Sequence, residues 1–277
     1  MFDETDTQEV KMKTKRSGRF LSVLLALMVC VVFTVPFTQV AGAASKKTFY
    51  VPTKITNSYT FDGQTDTFTT TYKYNKNGLR TTAKFNDGSK TTYKRNKKGV
   101  IKSWKTTDKK GKTTASGTCK IKGSKIVSEK IYSYNGKKKT LNSTITYTFS
   151  GNTLTREESV YSDGDRFISE FDSNGHVTKD VLFMKGGSSM TTVHAIKVDD
   201  HGNVISDVQT ITNVFDGNTS TDVVTTNTVY TYNKAGKITN EVSTTTNSDG
   251  KVTSTSTTAY KYKKVKAAKK YWKLLAQ

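Results

Sequence analysis

The chain has 277 residues, a formal net charge of +21, and only 2 Pro and 2 Cys. Hydrophobic residues make up 34 % of it, and many lie within the first 43 positions, so the remainder is too poor in apolar side chains for the large core of a dehydrogenase or a barrel-type enzyme. Two cysteines also exclude a disulfide framework and a cysteine-rich zinc site.

Residues 1–43 have the order of a secretory signal peptide. A basic stretch over residues 13–19 precedes an apolar run from Phe20 to Val35, and small residues follow at 41–44. The first eleven residues do not fit this order, so we predict that Met12 is the true initiator. The apolar run is short for a helix that spans a membrane. The sequence therefore predicts export, and it predicts no transmembrane span in the mature chain.

After Lys47 the chain alternates between two kinds of side chain. Residues 141–149 place Leu, Ser, Ile, Tyr and Phe on one parity, while residues 142–150 place Asn, Thr and Ser on the other. The stretches 67–74 and 224–232 repeat this pattern. Successive side chains of a strand point to opposite faces, so a period of two with β-branched and aromatic residues predicts strands.

Glycines that follow Asn, Asp or Lys interrupt these runs every 10 to 19 residues. Examples are Asn77-Gly78, Asp163-Gly164 and Asp249-Gly250. Such dipeptides adopt positive φ at low cost and close hairpins. We therefore predict an all-β fold: a long antiparallel meander of short hairpin repeats that forms an elongated or curled sheet.

Several turns share a longer signature. Two aromatic residues two positions apart are followed by Asn or Asp, then by Gly three residues later, and then by an apolar residue. The clearest copies lie at 72–79, 93–100 and 230–238, and looser copies lie at 171–177 and 198–204. The Asn or Asp side chain caps the turn, and Gly takes the left-handed position.

This signature resembles the repeat of the YD-repeat (RHS-type) family of bacterial secreted and surface proteins, which runs Tyr-x-Tyr-Asp-x-x-Gly-x-Leu/Val. The resemblance covers most of residues 49–262. Asn replaces Asp in the best three copies, and the spacing is irregular. The resemblance implies a β-repeat architecture and a place at the cell surface.

The charge is distributed unevenly. Residues 44–139 hold 24 Lys and Arg against 5 acids, residues 140–259 hold 8 against 14, and residues 260–277 hold 7 lysines and no acid. A basic region of this size attracts polyanions, which for an exported protein include anionic cell-wall polymers. The alternatives are that turn lysines keep a Thr-rich sheet soluble and unaggregated, or that the basic half docks on the acidic half.

The candidate ligand-binding residues combine turn lysines with nearby aromatic residues on which sugars or bases could stack. They are Lys97, Lys98, Lys109, Lys110, Lys137, Lys138, Lys139, Tyr93, Trp104 and Tyr132. No specific nucleic-acid motif accompanies them.

No catalytic motif is visible, and we predict neither an enzyme nor a cofactor. The three histidines, His176, His194 and His201, are too few and too irregularly spaced for a metal site. Carboxylate neighbours such as Glu157 and Glu158 point to opposite faces of a strand, whereas a glycosidase needs two that face each other.

These observations divide the chain into a signal peptide (1–43), a β-hairpin repeat domain (44–259) and a basic C-terminal strand or helix cap (260–277). The tail is compatible with a short amphipathic helix that caps the sheet or contacts a membrane. The predicted function is non-catalytic binding or scaffolding of an anionic polymer at the cell surface or in the secreted state. Two alternatives remain: an outer-membrane β-barrel, and a purely structural repeat protein without a polyanion ligand.

Overall fold

The computed structural model describes residues 46–275, and the predicted signal peptide lies outside these residues. The described chain consists almost entirely of strands. The strands are β1 (Lys46–Phe61), β2 (Gln64–Tyr74), β3 (Arg80–Phe85), β4 (Lys90–Arg95), β5 (Ile101–Thr107), β6 (Thr113–Lys122), β7 (Lys125–Asn135), β8 (Lys138–Ser150), β9 (Thr153–Tyr161), β10 (Arg166–Phe171), β11 (Val177–Phe183), β12 (Ser189–Val198), β13 (Val204–Phe215), β14 (Asn218–Tyr232), β15 (Ile238–Thr246) and β16 (Val252–Ala268). A 3₁₀ turn (Lys269–Tyr271) and a one-turn helix, α1 (Trp272–Leu275), follow β16.

The sheet closes on itself. Each strand pairs antiparallel with its neighbours in the chain, and β1 also pairs with β16, for example at Thr56 opposite Ala259. The all-β prediction is therefore confirmed, but the elongated or curled sheet is wrong: the strands form a closed barrel. Closure pairs both edges of the meander, and an unpaired edge is a site of aggregation.

The turn signature works as its chemistry predicts. In the β2–β3 turn, Asn75 Oδ1 accepts hydrogen bonds from the backbone N–H groups of Asn77 at 2.9 Å and Leu79 at 3.1 Å. Gly78 has φ of 76° and donates its N–H to the Asn75 carbonyl. The same arrangement recurs at six further turns, whose capping residues are Asn96, Asp108, Asp172, Asp199, Asn233 and Asn247.

The barrel has two rims. The first rim carries the β2–β3 turn, every second turn after it, and both ends of the described chain; the second rim carries the remaining turns. At the first rim a buried cluster of Phe49, Val51, Leu79 and Ala267 packs against Trp272 and other side chains of the C-terminal segment. The Trp272 indole donates a hydrogen bond to the Ala267 carbonyl at 2.9 Å. The tail therefore packs against this rim.

Candidate functional site

The pairing register assigns every strand residue to one of two walls, because cross-strand partners point to the same face. The buried Ile55, Tyr72 and Ala83 belong to one face and form a cluster with neighbouring tyrosines. Further round the barrel, Ser159 and Phe167 are opposite each other on the same face and are 5 % and 7 % exposed. We call this buried face the inner wall and the opposite face the outer wall.

Lysines occupy the outer wall of β2–β7, which we call the lysine sector. It consists of Lys73, Lys84, Lys90, Lys94, Lys105, Lys120, Lys122 and Lys130, all of them exposed. The register places these residues on one face, with Thr and Ser at most positions between them. No outward position of these six strands holds an acid. The sector is therefore a continuous positive surface.

The structure divides the predicted lysine site between the two rims. Lys97 and Lys98 lie in the β4–β5 turn at the first rim, whereas Lys109 and Lys110 lie in the β5–β6 turn at the second. Strand β5, with seven residues, separates them by about 23 Å. Lys137 lies in the β7–β8 turn, also at the second rim, and Lys138 and Lys139 begin β8 there. These seven lysines thus form no single site, although five of them share one rim.

The predicted aromatic residues do not accompany these lysines as expected. Tyr93 and Trp104 are direct cross-strand partners on the inner wall, in register with the buried Thr91 and Gly117. Tyr132 alone lies on the outer wall, where Lys139 Nζ sits 3.8 Å from the centroid of its ring. Two of the three proposed stacking residues therefore face away from the lysine sector.

Most carboxylates of the strands face inward, which the sequence analysis missed. Glu129 accepts a hydrogen bond from the Trp104 indole N–H and another from the Cys119 thiol at 3.7 Å. Burial raises the pKa of Glu129, although these two donors oppose the shift. Burial and the nearby Glu129 together raise the pKa of Cys119 to about 12, so the thiol stays protonated and serves as a donor.

A second inward carboxylate, Glu157, is held near other acids. Burial raises its pKa to about 6, and the charges of Glu129 and Asp180 add to the shift. Its chain neighbour Glu158 points to the outer wall and pairs with Arg156 at 3.1 Å and with Arg166 at 2.5 Å. The two adjacent carboxylates thus point to opposite faces, as the sequence predicted.

His194 lies between two aspartates on the inner wall. Its Nδ1 is 2.9 Å from Asp207 Oδ2, and its Nε2 is 3.3 Å from Asp180 Oδ2. Burial alone would lower the pKa of His194, but the hydrogen bonds and charges of the two aspartates outweigh it and raise the pKa to about 9. The imidazole is therefore positively charged at neutral pH.

A sequence signal for the inward acids did exist. Glu129 has the same parity as Ile131, and Asp180 has the same parity as Leu182 and lies opposite the buried Ser169. Acids that alternate in step with the apolar residues of a strand belong to its buried face. Within residues 46–275, no group of three or more His, Cys, Asp or Glu side chains is arranged to hold a metal ion. The same residues contain no helix of the length and hydropathy needed to cross a membrane.

Comparisons with known proteins give only distant similarities. No model of a protein family matches the chain, and no curated protein matches it. Among solved structures, a porin-like protein from Bacteroides vulgatus is 12 % identical, with a TM-score of 0.46 over 76 % of this chain and 98 % of that one. A porin-like protein from Bacteroides uniformis is 10 % identical over the same shares, with a TM-score of 0.23. The complex named TcdB2-TccC3-TEV is 10 % identical over 70 % of this chain and 15 % of that one, with a TM-score of 0.25. These scores are too low to assign a fold or a function.

The resemblance to YD-repeat proteins is wrong. It implied a β-repeat sheet, whereas the described strands close into a 16-strand barrel. The turn signature misled because its Asn or Asp and its Gly satisfy the backbone of one turn type. That chemistry recurs wherever such turns are needed.

Proposed function

We propose that this chain is a non-catalytic β-barrel of the cell envelope whose outer wall binds an anionic polymer. The observation that carries the proposal is the lysine sector, in which exposed lysines cover the outer wall of six adjacent strands without an acid among them. Such a surface attracts a polyanion and raises its rate of association. Export of the chain is part of the proposal and follows from the predicted signal peptide.

A non-catalytic role is supported by how the inward carboxylates are used. Asp180 accepts a hydrogen bond from Ser169 at 2.5 Å, and Asp207 accepts one from Gln209 at 2.8 Å. Glu241 accepts a hydrogen bond from the Tyr260 hydroxyl at 3.0 Å. The bonds of Asp180 and Glu241 connect adjacent strands, and that of Asp207 stays within β13; all three tie the carboxylates to neighbouring side chains, which is a structural task.

An outer-membrane barrel is the second candidate, and two observations favour it. Closure into an even number of antiparallel strands is the architecture of such barrels. On the outer wall of β12–β15, which we call the uncharged sector, Lys197 is the one charged residue among the described positions, and Val229 is 69 % exposed. This part of the wall is the most compatible with lipid.

The remaining outer wall favours a barrel surrounded by water. A lysine that faces lipid costs about 2–4 kcal/mol near the middle of the bilayer, and the lysine sector contains eight lysines. Strands β3, β4 and β10 have six residues each, whereas a membrane-spanning strand needs about 9–11. We therefore place the barrel in the envelope but outside the bilayer.

Fractionation of cells and retention on heparin test this proposal. We expect the protein to leave the envelope fraction in high salt or urea without detergent, because charge and not lipid would hold it there. The purified protein should bind heparin, and the salt concentration at which it elutes should fall when Lys73, Lys94 and Lys105 are replaced by Gln. Three fewer contacts should lower the slope of log K against log salt by about 3.

The matched control replaces Lys197, Lys234 and Lys251 by Gln, which removes the same charge outside the lysine sector. Its elution should stay close to that of the wild type. If only detergent, and neither high salt nor urea, releases the protein from the envelope fraction, the outer-membrane candidate is supported instead. Equal shifts for both triple variants, or no retention of the wild type, contradict the polyanion-binding role of the sector.

A further inference from the structure

One part of the lysine sector has a shape of its own. A shallow groove of about 260 Å³ lies at Thr118, Lys120, Ser128 and Lys130, with Cys119 between the two residues of β6. The first four residues all belong to the outer wall of β6 and β7. The groove therefore opens outward, on the positive surface.

The register arranges these four side chains as a square. Thr118 is directly opposite Lys130, and Lys120 is directly opposite Ser128. The two ammonium groups thus occupy one diagonal and the two hydroxyl groups occupy the other. Diagonal positions on adjacent antiparallel strands lie about 7–8 Å apart, which two lysine side chains can span to reach one ligand.

This combination has the chemistry of a tetrahedral oxyanion site. Lysine ammonium groups are compact positive charges with three donors each, and Ser and Thr hydroxyl groups add two further donors. Two ammonium groups at opposite corners and hydroxyl donors at the other two corners suit a ligand group whose oxygens point in several directions. A planar carboxylate is served better by the fork of an arginine, and no arginine lines the groove.

The positions of the surrounding aromatic residues indicate whether the ligand carries bases. Tyr93 and Trp104 are on the inner wall, and the outward Tyr132 has Lys139 3.8 Å over its ring. Single-stranded nucleic acids are normally bound by bases stacking on exposed aromatic side chains. The sector offers charge and hydroxyl groups without such a stacking platform.

We propose that the groove at Thr118, Lys120, Ser128 and Lys130 is a subsite for one phosphate group of a base-free phosphodiester or polyphosphate polymer. The inference rests on the proposed function and assigns the ligand class and the position of the subsite. The remaining lysines of the sector then attract the rest of the polymer without a fixed geometry.

Binding of inorganic polyphosphate to the full-length mature chain tests the subsite, with poly-glutamate and oligo(dT) of equal charge as comparison ligands. Polyphosphate should bind about tenfold tighter than poly-glutamate, because the hydroxyl donors complement phosphate oxygens. Replacing Lys120 and Lys130 by Gln should weaken polyphosphate binding about tenfold. Thr118→Val with Ser128→Ala should weaken it about threefold or more at unchanged charge.

The matched control is Lys84→Gln with Lys90→Gln, a directly opposed lysine pair of the same sector outside the groove. It should weaken binding about threefold or less, and urea unfolding checks that each variant is folded. Equal weakening by the two lysine pairs, no effect of the hydroxyl variants, or oligo(dT) binding more than about tenfold tighter would each overturn the subsite while leaving polyanion binding intact. A wild-type chain that binds none of the three ligands or heparin overturns the proposed function as well.

Discussion

His194 is the residue whose surroundings most clearly set its chemistry. Asp207 and Asp180 lie 2.9 Å and 3.3 Å from its two ring nitrogens. Asp207 also accepts a hydrogen bond from Gln209, and Asp180 accepts one from Ser169. The charged imidazole therefore links β11, β12 and β13 on the inner wall.

The raised pKa of His194 predicts how stability depends on pH. The pKa is about 9 in the folded chain and about 6.5 in an unfolded one. Because the folded pKa is the higher, the stabilising contribution of the charged ring is complete below pH 6.5 and is lost as pH rises through 9. Urea unfolding should give the wild type a higher free energy of unfolding than His194→Gln. This difference should be largest at pH 6 and smaller at pH 9.5. A difference that stays constant with pH would contradict the assigned charge.

The cluster of His194, Asp180 and Asp207 is not visible in the sequence, because its three members lie on three strands. In the sequence, His194 stands as one of three irregularly spaced histidines. The pairing of Asp180 with Thr192 and of Ile196 with Asp207 brings the aspartates to either side of His194. Parity alone would have shown that these residues face inward, but only the register between strands shows that they meet.

At the scale of strands, a hydrogen bond from Trp104 on β5 to Glu129 on β7 crosses β6 at Gly117, which has no side chain. Gly117 is the cross-strand partner of Trp104 on β5 and of Ile131 on β7, and a Cβ atom there would overlap the Trp104 indole and the Glu129 carboxylate. The absence of a side chain lets Trp104 reach across β6 and donate its N–H to Glu129. Glycine normally weakens a strand, and the close approach of the Trp104 indole explains why β6 has a glycine at this position.

Replacing Gly117 by Ala should therefore destabilise the barrel. The added methyl group displaces the indole and leaves the half-buried Glu129 without the Trp104 donor, at a cost of about 1–3 kcal/mol. Urea unfolding measures the change, and Thr114→Ala at an exposed position of the same strand is the control. A Gly117→Ala variant as stable as this control would show that the indole does not need the space.

Individual strands and turns were the most predictable part of the fold. Alternation over residues 67–74 and 141–149 marks strands that the structure contains as parts of β2 and β8. Gly78 and Gly236 have φ of 76° and 66°, as their turn signature requires. These features depend on residues close in sequence, so local chemistry is sufficient to predict them.

At the scale of the whole molecule, closure was not predictable from the same patterns. An open sheet and a closed barrel have the same alternation and the same turns. They differ in one contact, between β1 and β16, whose partners Thr56 and Ala259 are about 200 residues apart in the chain. No local sequence pattern indicates that contact. The sequence therefore left a β-barrel as an alternative to the elongated or curled sheet.

Cross-linking tests closure directly. Cysteines introduced at Thr56 and Ala259 on the outer wall, in a Cys119→Ser background, should be joined efficiently by a short thiol cross-linker because the two residues are cross-strand partners. The control pair, at Thr56 and Thr144, places the thiols on β1 and β8, seven strands apart. Efficient cross-linking of both pairs, or of neither, contradicts the closed arrangement.

The placement of charge also belongs to this scale. The sequence shows that residues 44–139 are basic and residues 140–259 acidic. The barrel converts this order along the chain into an order across the wall, since strand lysines of the first part point outward and acids such as Glu157, Asp180 and Asp207 point inward. Docking of one half on the other is not needed to accommodate the two charges.

Pairing of β1 with β16 also leaves the described ends side by side on one rim. In a closed ring of antiparallel hairpins every strand has two neighbours, so the chain could begin at a different strand and still form the same barrel. A circular permutant that joins the present ends through a short linker and opens at the exposed Asp216-Gly217 hairpin would keep every ladder of the wall.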